Sequence, residues 1–140
     1  MIRLAVVGKM KNAPLRNAAQ DYLARIGRFG RIEVLEVNDS TPAAESKQLL
    51  ASARGRPRIA CDERGEEWSS RHLAQFLGQH GSPCFLIGGP DGFAGDLREQ
   101  CDRSLRLSSF TLPHELARVV LLEQIYRGLS ILKGHPYHRD

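Results

Sequence analysis

Two rhythms of apolar residues alternate along this chain. Short, nearly continuous apolar runs occur at Arg3–Val7, Ile32–Val37, Arg58–Cys61, Cys84–Ile87 and Arg103–Leu107. Such runs mark strands buried in a sheet. Between them apolar residues return every third or fourth position, as on one face of a helix. Leu15, Ala18, Ala19, Tyr22, Leu23 and Ile26 do so after Pro14, Leu49 and Leu50 within Ala43–Ala53, and Leu73, Phe76 and Leu77 after Ser69 or Ser70. Pro14 and Thr41-Pro42 supply helix starts, and Gly27 and Gly30 a stop. Glu33 and Glu36 make one side of the second strand wetter, and Asp62–Gly65 ends the third. A short helix is expected around Asp96–Cys101 and a long one from about His114 to Leu132. The long helix is apolar nearly all round, from Leu116 through Val119, Val120, Leu121, Leu122, Ile125, Tyr126 and Leu129 to Leu132. That breadth implies burial on more than one side, and a partner subunit is the simplest second cover. Strands alternating with helices predict an α/β fold, a largely parallel sheet with helices on both faces, in a single domain over 1–140.

Within that frame one stretch breaks the rhythm. The run Phe85-Leu86-Ile87 gives way to Gly88-Gly89-Pro90-Asp91-Gly92. A buried strand ending in a glycine-rich turn lets a ligand approach the main chain, and open α/β sheets bind ligands at the carboxyl ends of their strands. A second loop, Leu107–Pro113, joins the fifth strand to the long helix. It offers backbone groups and apolar walls. A third constellation, His135-Pro136-Tyr137-His138-Arg139-Asp140, gathers chemically useful side chains. A zinc reading of His135 and His138 lacks a further ligand pair, so no metal is expected. The first strand is followed by Gly8-Lys9-Met10-Lys11-Asn12, which lacks the dinucleotide fingerprint GxGxxG. No phosphate-binding GxxxxGK[ST] or nucleophile elbow GxSxG occurs either.

Composition narrows the partners. A net charge of +4 and a pI near 9.3 permit a polyanion such as RNA without demanding one. With 6% aromatic residues, RNA binding would rest on charge and shape. Lys9, Lys11, Arg16, Arg25, Arg28 and Arg31 are candidates for a phosphate-facing surface. Cys61, Cys84 and Cys101 are odd in number and widely spaced, which suits free thiols. No run is long enough for a membrane span or a signal peptide, so a cytoplasmic protein is expected.

Taken together, the glycine turn, Leu107–His114, Arg118-Val119, Glu123–Arg127 and the ending His135–Asp140 resemble the RlmH family. These are the ribosomal large-subunit RNA pseudouridine N3-methyltransferases of the SPOUT superfamily. The resemblance implies a C-terminal trefoil knot and S-adenosylmethionine as methyl donor. It also implies a homodimer whose sites span the subunit boundary, and a 23S rRNA substrate on assembled ribosomes. By position it assigns the cofactor to Cys61, Gly88, Gly89, Ser108, Ser109, Phe110, Thr111, Leu112 and Pro113. It assigns catalysis to Tyr137, His138 and Arg139, with His138 the candidate base. His114, Arg127 and Arg139 would face the substrate. The alternative is a non-enzymatic ribosome- or RNA-binding protein.

Overall fold

The computed structural model describes residues 1–140. Five strands and four helices alternate: β1 (Ile2–Val7), α1 (Ala13–Ile26), β2 (Ile32–Val37), α2 (Pro42–Ser52), β3 (Arg58–Glu67), α3 (Ser70–Gln79), β4 (Cys84–Ile87), β5 (Arg103–Arg106) and α4 (His114–Leu132). The helix starts follow the local chemistry. Asn12, Thr41 and Ser69 each accept a hydrogen bond from an N–H of the first turn, at 3.0, 3.2 and 3.0 Å. A single 3₁₀ turn, Arg98–Gln100, stands where a short helix was expected.

All strand pairs are parallel, in the order β2-β1-β4-β3-β5. The most central strand, β4, is buried at every position. Leu4, Val6, Phe85, Ile87 and Ile59 pack on one face with α1, α3 and α4. Ala5, Val7, Ala60, Cys84 and Leu86 pack on the other with Leu49 and Ala53 of the α2 region. Continuous apolar strands are what a sheet covered on both faces requires.

Two departures from the sequence reading are informative. The third strand does not stop at Cys61; it runs on to Glu67, with a register break between Cys61 and Glu66. A Cβ on Gly65 would lie 2.8 Å from the main chain of Leu105. The glycine that resembles a turn is there to let two strands cross closely.

The second departure is α4. Its apolar breadth is largely used within the chain, because α1 and α3 flank it beneath the sheet. A Cβ on Gly128 would sit 3.1 Å from the Leu77 side chain and 3.4 Å from the Ala74 Cα. Leu121, Leu122 and Ile125 are fully buried. What remains outside either core is a stripe of Leu116, Val120 and Ile131, only half-buried, with Leu132 exposed.

Candidate active site

The carboxyl ends of β3, β4 and β5 open into a cleft of about 840 Å³, within the range of small-molecule sites. Its lining comes from the three strand ends and the loops after them. Cys61–Arg64 follow the core of β3, Ile87–Phe93 follow β4, and Leu107, Ser108 and Phe110–His114 lead into α4. The two loops singled out in the sequence therefore face each other across one space. Ser109 is exposed and outside the lining. Phe110 stands at the rim, 81% exposed.

The loop Leu107–Pro113 has a particular main-chain state. Only Phe110 has its N–H engaged, by the Ser108 Oγ at 2.9 Å. The N–H groups of Leu107, Ser108, Ser109, Thr111 and Leu112 meet no acceptor within the chain. None of these positions is buried, so their donors are open to solvent or to a ligand. Several left open beside an apolar cleft suit a flat, polar-edged ligand. Pro113 begins α4 without a side-chain cap, so the helix presents its free N–H end beside His114 in the same cleft.

Gly88 and Gly89 line the cleft and also pack closely within the protein. A Cβ on Gly88 would meet Gly92 at 3.1 Å and the Phe93 ring at 3.2 Å; one on Gly89 would meet Val7 at 3.2 Å. A side chain at either position would push on these neighbours by a few tenths of an ångström. Gly92 N–H donates to the Gly89 carbonyl at 2.9 Å, closing the turn. Cys61 lines the cleft as a neutral thiol, since burial, reinforced by Cys101 and Cys84, pushes its pKa far above the ordinary thiol range.

Two side chains near the start of α4 reach beyond the helix. Arg118 is buried and donates to Glu36 at 2.8 Å and to the Gly8 carbonyl at 2.8 Å. Glu115 accepts the N–H groups of Lys11 and Asn12, both at 3.1 Å. These bonds, chiefly the one to the Asn12 N–H, hold the Glu115 carboxyl below its usual pKa. The start of α4 is thereby tied to the loop after β1. Neither residue was assigned a role from sequence, although Arg118 belongs to the motifs that carried the resemblance.

The C-terminal constellation lies elsewhere. Arg127 follows His114 by thirteen residues along α4, or about 20 Å at 1.5 Å per residue. Tyr137 and His138 gather around Arg127, Arg139 follows them in the chain, and none of these four lines the cleft. The Tyr137 hydroxyl donates to Glu123 Oε2 at 2.7 Å, and Arg127 donates to the same oxygen at 2.6 Å. The Arg127 guanidinium also covers the Tyr137 ring, 4.7 Å from its centroid. Partial burial, then the Glu123 carboxylate, raises the Tyr137 phenol above its usual pKa, so it stays a donor at neutral pH.

His138 lies between Arg127, 3.1 Å from Nδ1, and Asp140, 2.8 Å from Nε2. A guanidinium only donates, so the bonding pattern assigns the ring proton to Nε2 and leaves Nδ1 accepting. Asp140 in turn takes two bonds from Arg71, at 2.9 and 2.7 Å. Arg139 is exposed and has no carboxylate partner. No group of three or more histidine, cysteine or acidic side chains is disposed to hold a metal.

A parallel α/β sheet with its cleft at the carboxyl ends of β3, β4 and β5, lined by a glycine turn and an unpaired backbone loop, defines a small-ligand-binding fold. Comparison with known proteins specifies which. The family model described as "Predicted SPOUT methyltransferase" matches residues 1–138. The ribosomal RNA large subunit methyltransferase H of Deinococcus radiodurans is 40% identical over 143 residues, covering 99% of this chain and 98% of its own. That of Polynucleobacter asymbioticus is 42% identical over 147 residues, covering 99% and 100%. A crystal structure of the SpoU methyltransferase AviRb from Streptomyces viridochromogenes shares the fold, with a TM-score of 0.51 at 15% identity. The match covers 95% of this chain and 60% of that one. The chain belongs to the SPOUT methyltransferase family, among the ribosomal RNA large subunit methyltransferase H proteins.

Proposed function

We propose that this protein is an S-adenosylmethionine-dependent methyltransferase acting on N3 of a pseudouridine in 23S ribosomal RNA, on the assembled ribosome in the cytoplasm. Residues 1–140 form one SPOUT-type unit in this reading, with the C-terminal part threaded as a trefoil knot. The observation that carries the proposal is the cleft's row of unpaired main-chain donors, in a chain similar along its full length to rRNA methyltransferases. Family membership places the chain among enzymes, against the non-enzymatic RNA-binding alternative. No helix is long and apolar enough to cross a membrane.

The residues fit the donor. The open N–H groups of Leu107–Leu112, Ser109 contributing through its main chain, match the polar edge of an adenine. Cys61, Phe110, Leu112 and Pro113 supply apolar walls, and Gly88 and Gly89 shape the opposite side. S-adenosylmethionine, when bound, supplies a methyl group already activated by its sulfonium. The protein's task is then to orient it, exclude water and present the nucleophilic nitrogen.

The RNA-facing side chains are Tyr137, His138 and Arg139, with Arg127 beside them and His114 at the cleft. Because about 20 Å of α4 separates His114 from Arg127, one subunit does not bring them together. A homodimer does, if a two-fold axis crosses α4 near its middle. The half-exposed stripe of Leu116, Val120 and Ile131, with the exposed Phe110, offers apolar surface for that pairing. Arg139 then stabilises charge developing on the imide, and His138 accepts a proton only after releasing Arg127. Lys9, Lys11 and Arg16 are exposed around the loop after β1, which Glu115 ties to the start of α4, while Arg64 lines the cleft itself. Arg25, Arg28 and Arg31 lie at the other end of α1, and Arg25 is paired with Asp21.

Labelled S-adenosylmethionine and ribosomes lacking the modification test the proposal. Label is expected in one pseudouridine of the large-subunit RNA. Donor binding with no label in any RNA would refute the reading.

A further inference from the structure

We propose that Glu123 is the positioning residue of the C-terminal segment, the side chain through which Tyr137 and Arg127 are held for substrate. The inference rests on the functional reading above and adds to it a residue with no assigned role. Glu123 Oε2 accepts from the Tyr137 hydroxyl at 2.7 Å and from Arg127 Nη2 and Nε at 2.6 and 3.2 Å. Its Oε1 accepts from the Gln124 amide at 2.7 Å, and Gln124 Oε1 accepts from Ser70 of α3 at 2.6 Å. One carboxylate thus joins two neighbours on its own helix to the segment beyond it. The ion pair is only 18% and 23% exposed on its two side chains, where charge-assisted bonds are strong.

Little else fastens this stretch. Residues 133–136 are exposed and follow no regular structure. His135 N–H donates to the Ser130 carbonyl at 2.9 Å, and the His135 ring meets the edge of Phe29. Beyond that, Tyr137 donates its N–H to the His135 carbonyl at 2.8 Å, packs against the core with its ring on Tyr126, and is held by the Arg127 guanidinium over its face and by Glu123. His138 is then placed by Arg127, itself set by Glu123. Asp140 closes the far end on the exposed Arg71, a clasp in water that contributes little. Arg139, in between, keeps its guanidinium free. Glu123 is therefore the internal hinge of a pedestal on which Arg139 is presented.

The test compares wild type with Glu123→Gln, which keeps the shape and removes the charge, and with Glu123→Asp and Tyr137→Phe. Three tyrosines are present, and their ionisation is followed by ultraviolet absorbance. In Glu123→Gln one tyrosine is expected to titrate at lower pH, nearer the ordinary value of about 10. Amide exchange over residues 135–139 should quicken roughly tenfold. The kcat/KM for undermodified ribosomes should fall roughly thirtyfold, with S-adenosylmethionine affinity within about twofold. Glu123→Asp should fall between, and Tyr137→Phe should reproduce the faster exchange. Should Glu123→Gln not fold, the exchange and kinetics of Glu123→Asp, with the exchange of Tyr137→Phe, decide. Unchanged titration and exchange in the variants, or released exchange with unchanged kcat/KM, would overturn the proposal. Absence of methyl transfer by wild type would instead refute the functional reading, while titration and exchange still report on the tether.

Discussion

The cleft and the C-terminal segment are built on opposite principles. The cleft presents main chain: open N–H groups in Leu107–Leu112, a turn held by its own glycines, and few side-chain bonds. The segment presents side chains, nearly all already bonded to one another, with Arg139 the exception. A backbone site recognises an invariant small molecule by shape and edge. A charged side-chain cluster recognises a polyanion and shapes developing charge. The same helix, α4, begins at one and ends at the other. It is tied down separately, by Glu115 and Arg118 at the start and by Glu123 at its midpoint, which holds Arg127 and the segment beyond.

The comparison breaks most visibly if the segment is removed. Deleting residues 137–140 should lower methyl transfer roughly a thousandfold while leaving donor affinity within about threefold. A comparable loss of donor binding would show that the two regions are not separate in role. A smaller effect comes from filling the cleft. Ser108→Trp places a ring in the lining and should weaken donor binding by about a hundredfold, near 2.7 kcal/mol, with the urea midpoint unchanged. Calorimetry with S-adenosylmethionine checks both variants.

The smallest effect is the pH dependence of the outer clasp. Hydrogen bonds from Arg71, then His138, hold the Asp140 carboxyl below its ordinary pKa. A depressed acid stabilises above its unfolded value, near 3.9, and loses that contribution as pH falls through the folded one. The slight Tm difference between wild type and Arg71→Gln should therefore be constant from pH 7 to about 5. It should close on acidification below about 4. A gap that widens in acid would contradict the clasp.

Much of this was legible in the residues because the sheet's strands are short, apolar and bounded by capping or breaking chemistry. Asn12, Thr41 and Ser69 set helix starts by local bonds alone. Gly65 misled, since a glycine flanked by charges is indistinguishable from a turn until the crossing of β5 is seen. The breadth of α4 misled in part: two flanking helices and a sheet consume most of what a partner subunit was invoked to cover. The resemblance and their chemistry singled out Tyr137, His138 and Arg139 as candidates, but the ties of this segment to Glu123 and Arg71 were not legible. A tie between α3 and the far end of the chain spans sixty-nine positions and leaves no periodic trace. Nor does the 20 Å gap between cleft and segment show until α4 is laid out as a helix.

That gap makes the shared site the central claim. Its most direct test mixes Ser108→Trp with the deletion of residues 137–140, at a donor concentration too low to fill the Ser108→Trp cleft and under conditions that let subunits exchange, and measures methyl transfer to undermodified ribosomes. A two-fold dimer with each site drawn from both chains predicts recovery. Half the dimers are mixed, and each mixed dimer holds one site with an intact cleft and an intact segment. Activity should return to about a quarter of wild type. If each site belonged to a single chain, every chain in the mixture would carry a defect, and no activity would return.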